Sequence, residues 1–256
     1  LAEEASFCLG CRACESVCPA GVAYGSLLEQ WRDHQWRGRR RPWLARLLMA
    51  AVARPALLGP LRLVRRHARP RRPAPDAAGP PAALMLGCVE RGLYPEVSRA
   101  VARLRPELAV PAGQGCCGAL HAHNGDSATG RALARALGER LPGTIVTTSG
   151  GCAAHLAHHL GRDRVRELSE YLVQVGHRPV GQVTVAGRRA RAGLQDSCHL
   201  RHGLGVTRPP RDLIAAVAEY VELPDAGGCY GAAGTYSLLR PADGRAVLAP
   251  RLDAIE

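Results

Sequence analysis

A run of four cysteines near the start constrains this chain more than any other stretch. FCLGCRACESVCPAG separates Cys8, Cys11, Cys14 and Cys18 by two, two and three residues, and Pro19 follows. Thiolates are the ligands that iron–sulfur clusters need, and C-x2-C-x2-C-x3-C-P is a spacing that holds them. Two-residue gaps let three sulfurs converge on one cluster while backbone amides face its sulfides. The competing reading is a structural zinc knuckle, which usually spaces its cysteines as two separated pairs. The run therefore points to Cys8, Cys11, Cys14 and Cys18 as [4Fe–4S] ligands.

In ferredoxins with two clusters, the fourth cysteine of each run ligates the other cluster. By that rule Cys8, Cys11 and Cys14 hold one cluster and Cys18 reaches for a second. No second run occurs here, and the sequence opens on Leu1 rather than Met. The expectation is a fragment, with an upstream run that supplies the missing ligand and receives Cys18.

A chain of 256 residues holds one large domain or two modest ones. Ten cysteines in a secreted protein would suggest disulfides. In this spacing they suggest metal in a reducing compartment, with no signal peptide visible, so a cytoplasmic location is expected. No apolar run approaches the ~18–20 residues of a membrane span. All 34 basic residues are Arg, as a GC-rich genome would give, so Arg is not read as selected for bidentate chemistry. Residues 31–80 carry 13 Arg against Asp33 and Asp76, while the rest of the chain is nearly neutral. That confined charge argues against a nucleic-acid binder. It leaves an anionic membrane surface, an acidic partner subunit, or a helical hairpin with a solvated Arg face.

Along the chain, Leu27, Leu28, Trp31 and Trp36 recur at roughly helical spacing. WLARLLMAAVARPALLGPLRLVRR is broken by Pro55, Gly59 and Pro60, which predicts two short helices, and RPRRPAPDAAGPP predicts an extended connector. From residue 82 an α/β pattern begins. AALMLGC reads as a strand ending at Cys88, and YPEVSRAVARLRPEL as an amphipathic helix. The pair Cys116–Cys117 then precedes Gly118. Asp126 or Ser127 caps a helix TGRALARALGERL. GTIVTTSGGC reads as a strand ending at Cys152, VRELSEYLVQVG as a helix, and ARAGLQDSCHL as a strand ending at Cys198. Cysteines thus gather at strand ends, where open α/β sheets place their ligands.

The pattern repeats. Cys88 then Cys116-Cys117-Gly118 is matched by Cys198 then Cys229-Tyr230-Gly231, each followed by a helix. The repeat is imperfect: Tyr230 replaces a cysteine, and His155 stands where a Cys-x-x-Cys pair would end. His155 is an ordinary helix residue or a fifth ligand, since imidazole can replace thiolate on iron. His199 beside Cys198 invites a nucleophile reading, but neighbours on a strand diverge. His121 and His123 read as loop histidines, either solvated or donating to cluster sulfur.

These motifs resemble the cysteine-rich CCG domain found in heterodisulfide reductase and in iron–sulfur subunits of flavin dehydrogenases. The order of ferredoxin run, Arg-rich linker and two CCG units is most similar to the iron–sulfur subunit of glycolate oxidase. CLGCRACESVCPAGVAYG, GCCGALHAHNGD, QDSCHLRHG and CYGAAGTYSLLRP carry the likeness. It implies an α/β fold with a small ferredoxin-like 4Fe-4S segment and two related α/β CCG units. The implied domains are residues 1–36, half of the ferredoxin-type domain; 37–81, the basic linker; 82–175, the first CCG unit; and 176–256, the second, truncated. It also implies that Cys88, Cys116, Cys117 and Cys152 are cluster ligands and that Cys198 and Cys229 are too few to hold a cluster alone.

The function this implies is electron transfer through [4Fe–4S] clusters, with no catalytic residue in this chain. A partner flavin subunit would oxidise glycolate to glyoxylate, and the electrons would leave to quinone or another acceptor. A peripheral contact with the membrane fits the same picture, and nucleic acid does not. The alternatives are a heterodisulfide-reductase-like catalytic chain and the iron–sulfur subunit of a lactate or glycerol-3-phosphate dehydrogenase.

Overall fold

Three short parallel strands organise the middle of the chain. In the computed structural model, which describes residues 6–37, 40–53 and 81–255, they are β1 (Ala82–Leu84), β2 (Thr144–Thr147) and β3 (Val165–Glu167), in the order β1-β2-β3. Ala83 pairs with Ile145, and Val146 with Arg166. On its other edge Ala83 bridges to Ala109, also in parallel. Ala83, Leu84, Met85, Ile145, Val146 and Val165 have no exposed surface, which explains the unbroken apolar runs: a parallel sheet is covered on both faces.

This sheet belongs to the first of two units, Ser26–Glu167. Helices Pro95–Leu104, Ser127–Arg140 and Gly150–Leu160 are its longer crossovers. Pro95 sits where a helix tolerates proline, and the Asp126 carboxylate caps the second helix by accepting from the Thr129 N–H at 3.3 Å. Leu137 and Leu156 are buried from opposite helices, each side chain contributing ~1.5–3 kcal/mol.

The Arg-rich segment supplies part of this unit. Helix Trp43–Ala53 buries Ala45, Met49 and Val52, one stripe of its surface. The second linker helix and the Pro-rich connector lie outside the described residues. Two arginines work as staples. Arg32 Nη1 donates to the His123 carbonyl at 2.9 Å, and Arg41 donates to the carbonyls of Asn124 (2.8 Å) and Gly125. They satisfy carbonyls left open at the end of the short helix Ala119–His123.

The second unit joins Leu1–Gly25 to Leu168–Glu256. It holds a hairpin of β4 (Thr184–Val185) and β5 (Arg188–Arg189), turned by Ala186 and Gly187 at positive φ. It also holds the parallel pair β6 (Arg191–Gly193) and β7 (Glu219–Val221). Between them lie a π-helical turn, His199–Gly203, and helix Arg208–Val217. Helices Tyr236–Leu239 and Pro241–Asp253 follow.

Three sequence expectations shift. β2 stops at Thr147, and Cys152 lies inside helix Gly150–Leu160, because AAHLAHHL is rich in Ala and Leu and Gly150–Leu160 contains no β-branched residue. Val165–Glu167 is a strand where a helix was expected: Val165 pairs with Ile145 at full burial, and the helix starts at Leu168. β6 ends at Gly193, so Cys198 and His199 sit on a helical turn and the strand argument for their divergence does not apply.

Candidate metal centre

The loops leaving the carboxyl ends of the first sheet carry four cysteines to one place. Cys88 opens a helix four residues beyond β1, Cys116 and Cys117 follow the strand segment at Ala109, and Cys152 follows β2. Cys88 Sγ and Cys116 Sγ are 3.6 Å apart, and Cys117 Sγ and Cys152 Sγ are 3.1 Å apart. Both distances are far longer than a disulfide bond, and none of the ten cysteines is in a disulfide.

Hydrogen bonding orders the protons. The bonds of Cys116 to Cys117 and Cys88 hold its pKa far below the ordinary thiol range. Cys88 and Cys117 are pushed up, Cys88 first by its bond to Cys116 and then by burial, Cys117 by its bonds to Cys116 and Cys152. The Gly118 N–H also points at Cys116 Sγ, at 3.4 Å. Gly118 has φ +91, and a Cβ on it would lie 2.2 Å from the Gly130 carbonyl oxygen, so only glycine fits this turn.

Gln114 fixes the approach to the pair. Its Oε1 accepts from the Leu86 N–H at 2.8 Å, and its Nε2 donates to the carbonyls of Leu84 (3.0 Å) and Pro111 (3.1 Å). Arg91 then holds the carbonyls of Gln114 and Gly115. Val52, from the Arg-rich segment, packs on Cys88 and Cys116 with Leu120 and Leu133, which keeps water from the sulfurs. Neither Gln114 nor Val52 was singled out from the sequence. The Gln preceding Gly-Cys-Cys-Gly was the available signal for the first.

The histidines divide. His121 is buried in a short helix, not a solvated loop, and its Nδ1 finds no hydrogen-bond partner among the described residues. Burial lowers its pKa while the charge of Cys116 opposes that shift. His123 bonds Glu29 at 2.9 Å. His155 Nε2 lies 3.3 Å from the Gly130 carbonyl, to which it must donate, and burial lowers its pKa to about 4.

In the second unit the same parts recur. Gly231 N–H points at Cys229 Sγ at 3.4 Å, and a Cβ on Gly231 would lie 2.3 Å from the Gly244 carbonyl oxygen. Gln195 Nε2 donates to the carbonyls of Ala226 (2.8 Å) and Gly228 (2.9 Å), fixing the loop before Cys229. Cys198 hydrogen-bonds Cys229, which lowers the pKa of Cys229 to about 6 and raises that of Cys198. Asp196, almost fully buried, binds Arg201 Nη1 at 2.6 Å and Arg211 Nη1 at 2.9 Å.

The N-terminal run lies in this second unit. Cys11 is pushed up by burial and feels the charges of Cys229, Cys8 and Cys14. Gly10 N–H points at Cys8 Sγ at 3.3 Å. Cys18 is lowered by the backbone N–H groups of Val22 and Ala20. Among the described residues no three His, Cys, Asp or Glu side chains close on one point as a single ion requires. A four-iron cube is larger than one ion, and crowded soft thiols met by backbone N–H groups are the donor set it takes.

Residues 82–157 match the cysteine-rich domain family CCG. The chain is 29% identical to the probable glycolate oxidase iron-sulfur subunit of Bacillus subtilis (strain 168), over 98% of this chain and 72% of that protein. It is 29% identical to the glycolate oxidase iron-sulfur subunit of Escherichia coli (strain K12), over 99% of this chain and 73% of that one. Lactate utilization protein A 2 of Bacillus cereus (strain Q1) is 28% identical over 60% of this chain and 73% of its own length. No solved structure matches. Among the described residues no helix is long and apolar enough to cross a membrane. The chain is a mixed α/β protein that carries a cysteine-rich CCG domain over residues 82–157 and resembles glycolate oxidase iron–sulfur subunits along nearly its whole length.

Proposed function

We propose that this chain is the iron–sulfur, electron-transfer subunit of a complex of the glycolate oxidase type. The observation that carries the reading is the gathering of Cys88, Cys116, Cys117 and Cys152 at the carboxyl ends of one parallel sheet. The name and nearly full-length similarity of the two glycolate oxidase subunits support it. In this reading residues 82–175 and 176–256 are two related CCG units, and the recurrence of the Cys-x-Gly turn and its glycine contact supports that.

Cys88, Cys116, Cys117 and Cys152 would hold one cluster, and Cys8, Cys11 and Cys14 would bind a [4Fe–4S] cluster, with Cys18 serving a second. A bound cluster supplies reversible one-electron storage. The chain's own residues do the rest. Gly118 and Gly10 N–H groups stabilise charge on sulfur, Val52 excludes water, and Gln114 holds the loop at fixed reach. Loading replaces thiol protons by iron and releases them to solvent. Electrons would come from a flavin-containing partner oxidising glycolate to glyoxylate and leave to quinone or another acceptor, with a peripheral membrane contact through the Arg-rich segment.

The test is anaerobic purification followed by iron, zinc and acid-labile sulfide analysis. Zinc without labile sulfide sinks the reading. The partner is tested by co-purification of flavin subunits and dye reduction with glycolate. A preference for lactate would instead favour a lactate-oxidising complex, the reading that likeness to lactate utilization protein A 2 supports.

A further inference from the structure

The helix that shields the first cysteine pair has a second face turned to water. One stripe of Trp43–Ala53 points inward: Ala45, Met49 and Val52 are buried, and Val52 packs on Cys88 and Cys116. A helix advances ~100° per residue, so Trp43, Arg46, Leu47 and Ala50, at i, i+3, i+4 and i+7, share the opposite face, and all four are exposed. Trp43 is 69% exposed and Leu47 57%. Single apolar side chains scattered on a surface are ordinary. Here two large ones stand one turn apart on one face, and the packing of the helix does not use them.

The charge around this face has one sign. Between Asp33 and Asp76 the sequence carries 12 Arg and no Asp or Glu. Arg41 is turned inward as a staple, but Arg37, Arg40 and Arg46 are exposed. An acidic protein patch would match the arginines and leave Trp43 and Leu47 without an apolar partner. An apolar protein groove would take Trp43 and Leu47 and strip water from Arg46, which lies on the same face. The surface of an anionic bilayer offers both halves at once. Tryptophan sits at headgroup depth with its ring in the apolar boundary, and an arginine stem lies along that boundary while its guanidinium reaches the phosphates.

We propose that the Trp43–Leu47 face docks on a membrane surface rich in anionic phospholipid, with Arg46 on headgroup phosphate and the indole and leucine side chains in the apolar boundary. This rests on the reading that the Arg-rich segment makes a peripheral membrane contact, and it names the face and the lipid class. No bond is made or broken. The consequence comes from the helix having two faces. The one opposite the lipid covers Cys88 and Cys116, so docking holds the first cysteine centre about one helix diameter, ~10–12 Å, from the bilayer. An acceptor dissolved in the lipid would then approach that centre through a single layer of protein.

The test is flotation of the full chain, loaded anaerobically, with vesicles of phosphatidylcholine alone or mixed in equal parts with phosphatidylglycerol. The chain should float with the mixed vesicles and stay behind with the neutral ones. Trp43→Ser combined with Leu47→Ser should weaken binding to the mixed vesicles by roughly tenfold. Arg46→Gln should weaken it by about fivefold, the share of one basic residue at an anionic surface. All three positions are exposed, so Tm and iron content should stay at the parent's values, which separates lost binding from lost folding. Equal vesicle binding by the parent and the double variant overturns the face and leaves the peripheral contact standing. No binding of the parent to either vesicle overturns both. Loss of co-purifying partner subunits in the double variant, with vesicle binding unchanged, would assign the face to a protein and overturn the proposal.

Discussion

Replacing Gly118 by alanine tests the geometry of the paired-cysteine loop more sharply than removing a thiol does. Two costs add. At φ +91 an L side chain is strained by ~1–2 kcal/mol. The new Cβ would also lie 2.2 Å from the Gly130 carbonyl oxygen, and backbone in a helix cannot step aside as a flexible side chain can. Overpacking of that kind costs ~1–3 kcal/mol. The sum, about 2–5 kcal/mol, corresponds to a fall in Tm of roughly 4–20 °C for a protein of this size. The same loop provides controls. Gly113 also has positive φ, but its added Cβ would meet nothing within 4 Å, so Gly113→Ala should show the strain alone, about 2–8 °C. Gly115 has open space and an ordinary φ, so Gly115→Ala should be neutral within about 0.5 kcal/mol. Thermal melts by circular dichroism on the three variants, with iron content measured in parallel, give the order Gly118, Gly113, Gly115. Equal Tm for Gly118→Ala and Gly115→Ala would refute the close-approach argument.

Asp196→Asn leaves Arg201 and Arg211 without their buried carboxylate and should cost ~3–5 kcal/mol, read as an earlier urea midpoint with the first unit's helices unchanged. Cys116→Ser removes the sulfur on which Cys88 and Cys117 converge; iron bound to the first unit should fall while far-UV circular dichroism is retained. His155 is buried and neutral, with a folded pKa of about 4 against an ordinary 6.5. The unfolded chain therefore binds the proton first, and stability present above pH ~6.5 is lost as pH falls toward ~4, by about 3 kcal/mol in all. Denaturant titrations at pH 7 and pH 4.5 should show that slope, and His155→Phe should flatten it. Gln114→Ala strands the Leu86 N–H and the Leu84 carbonyl and should cost about 1–3 kcal/mol, measured by the same melts.

What the sequence disclosed was set by short range. Cysteine spacing marked the run, and apolar stretches ending at glycine and cysteine marked β1 and the loops beyond it, because a parallel strand writes its burial into consecutive residues. The helix cap at Asp126 is local too. The misplaced elements are those where tertiary pairing overrides propensity: Val165–Glu167 reads as helix until Ile145 is seen beside it. Contacts across distant sequence left no local trace. Val52 lies 36 residues from Cys88, and Arg32 lies 91 residues from His123. In a chain whose basic residues are all Arg, nothing marks Arg32 and Arg41 as staples among the rest of a basic segment. Gln195 and Asp196 were visible as part of QDSCHLRHG, but their work, fixing one loop and neutralising two arginines, needs the folded partners to be seen.

The two glycine contacts, Gly118 on Gly130 and Gly231 on Gly244, have a consequence for how the loops beside them can change. The loop at Cys229 has Tyr230 where the loop at Cys116 has Cys117, and it still makes the turn, the N–H to sulfur and the glycine contact. The turn is set by backbone meeting backbone, so the side chains beside it can differ while its shape persists. A loop held in this way keeps its path whether or not the side chains along it are thiols.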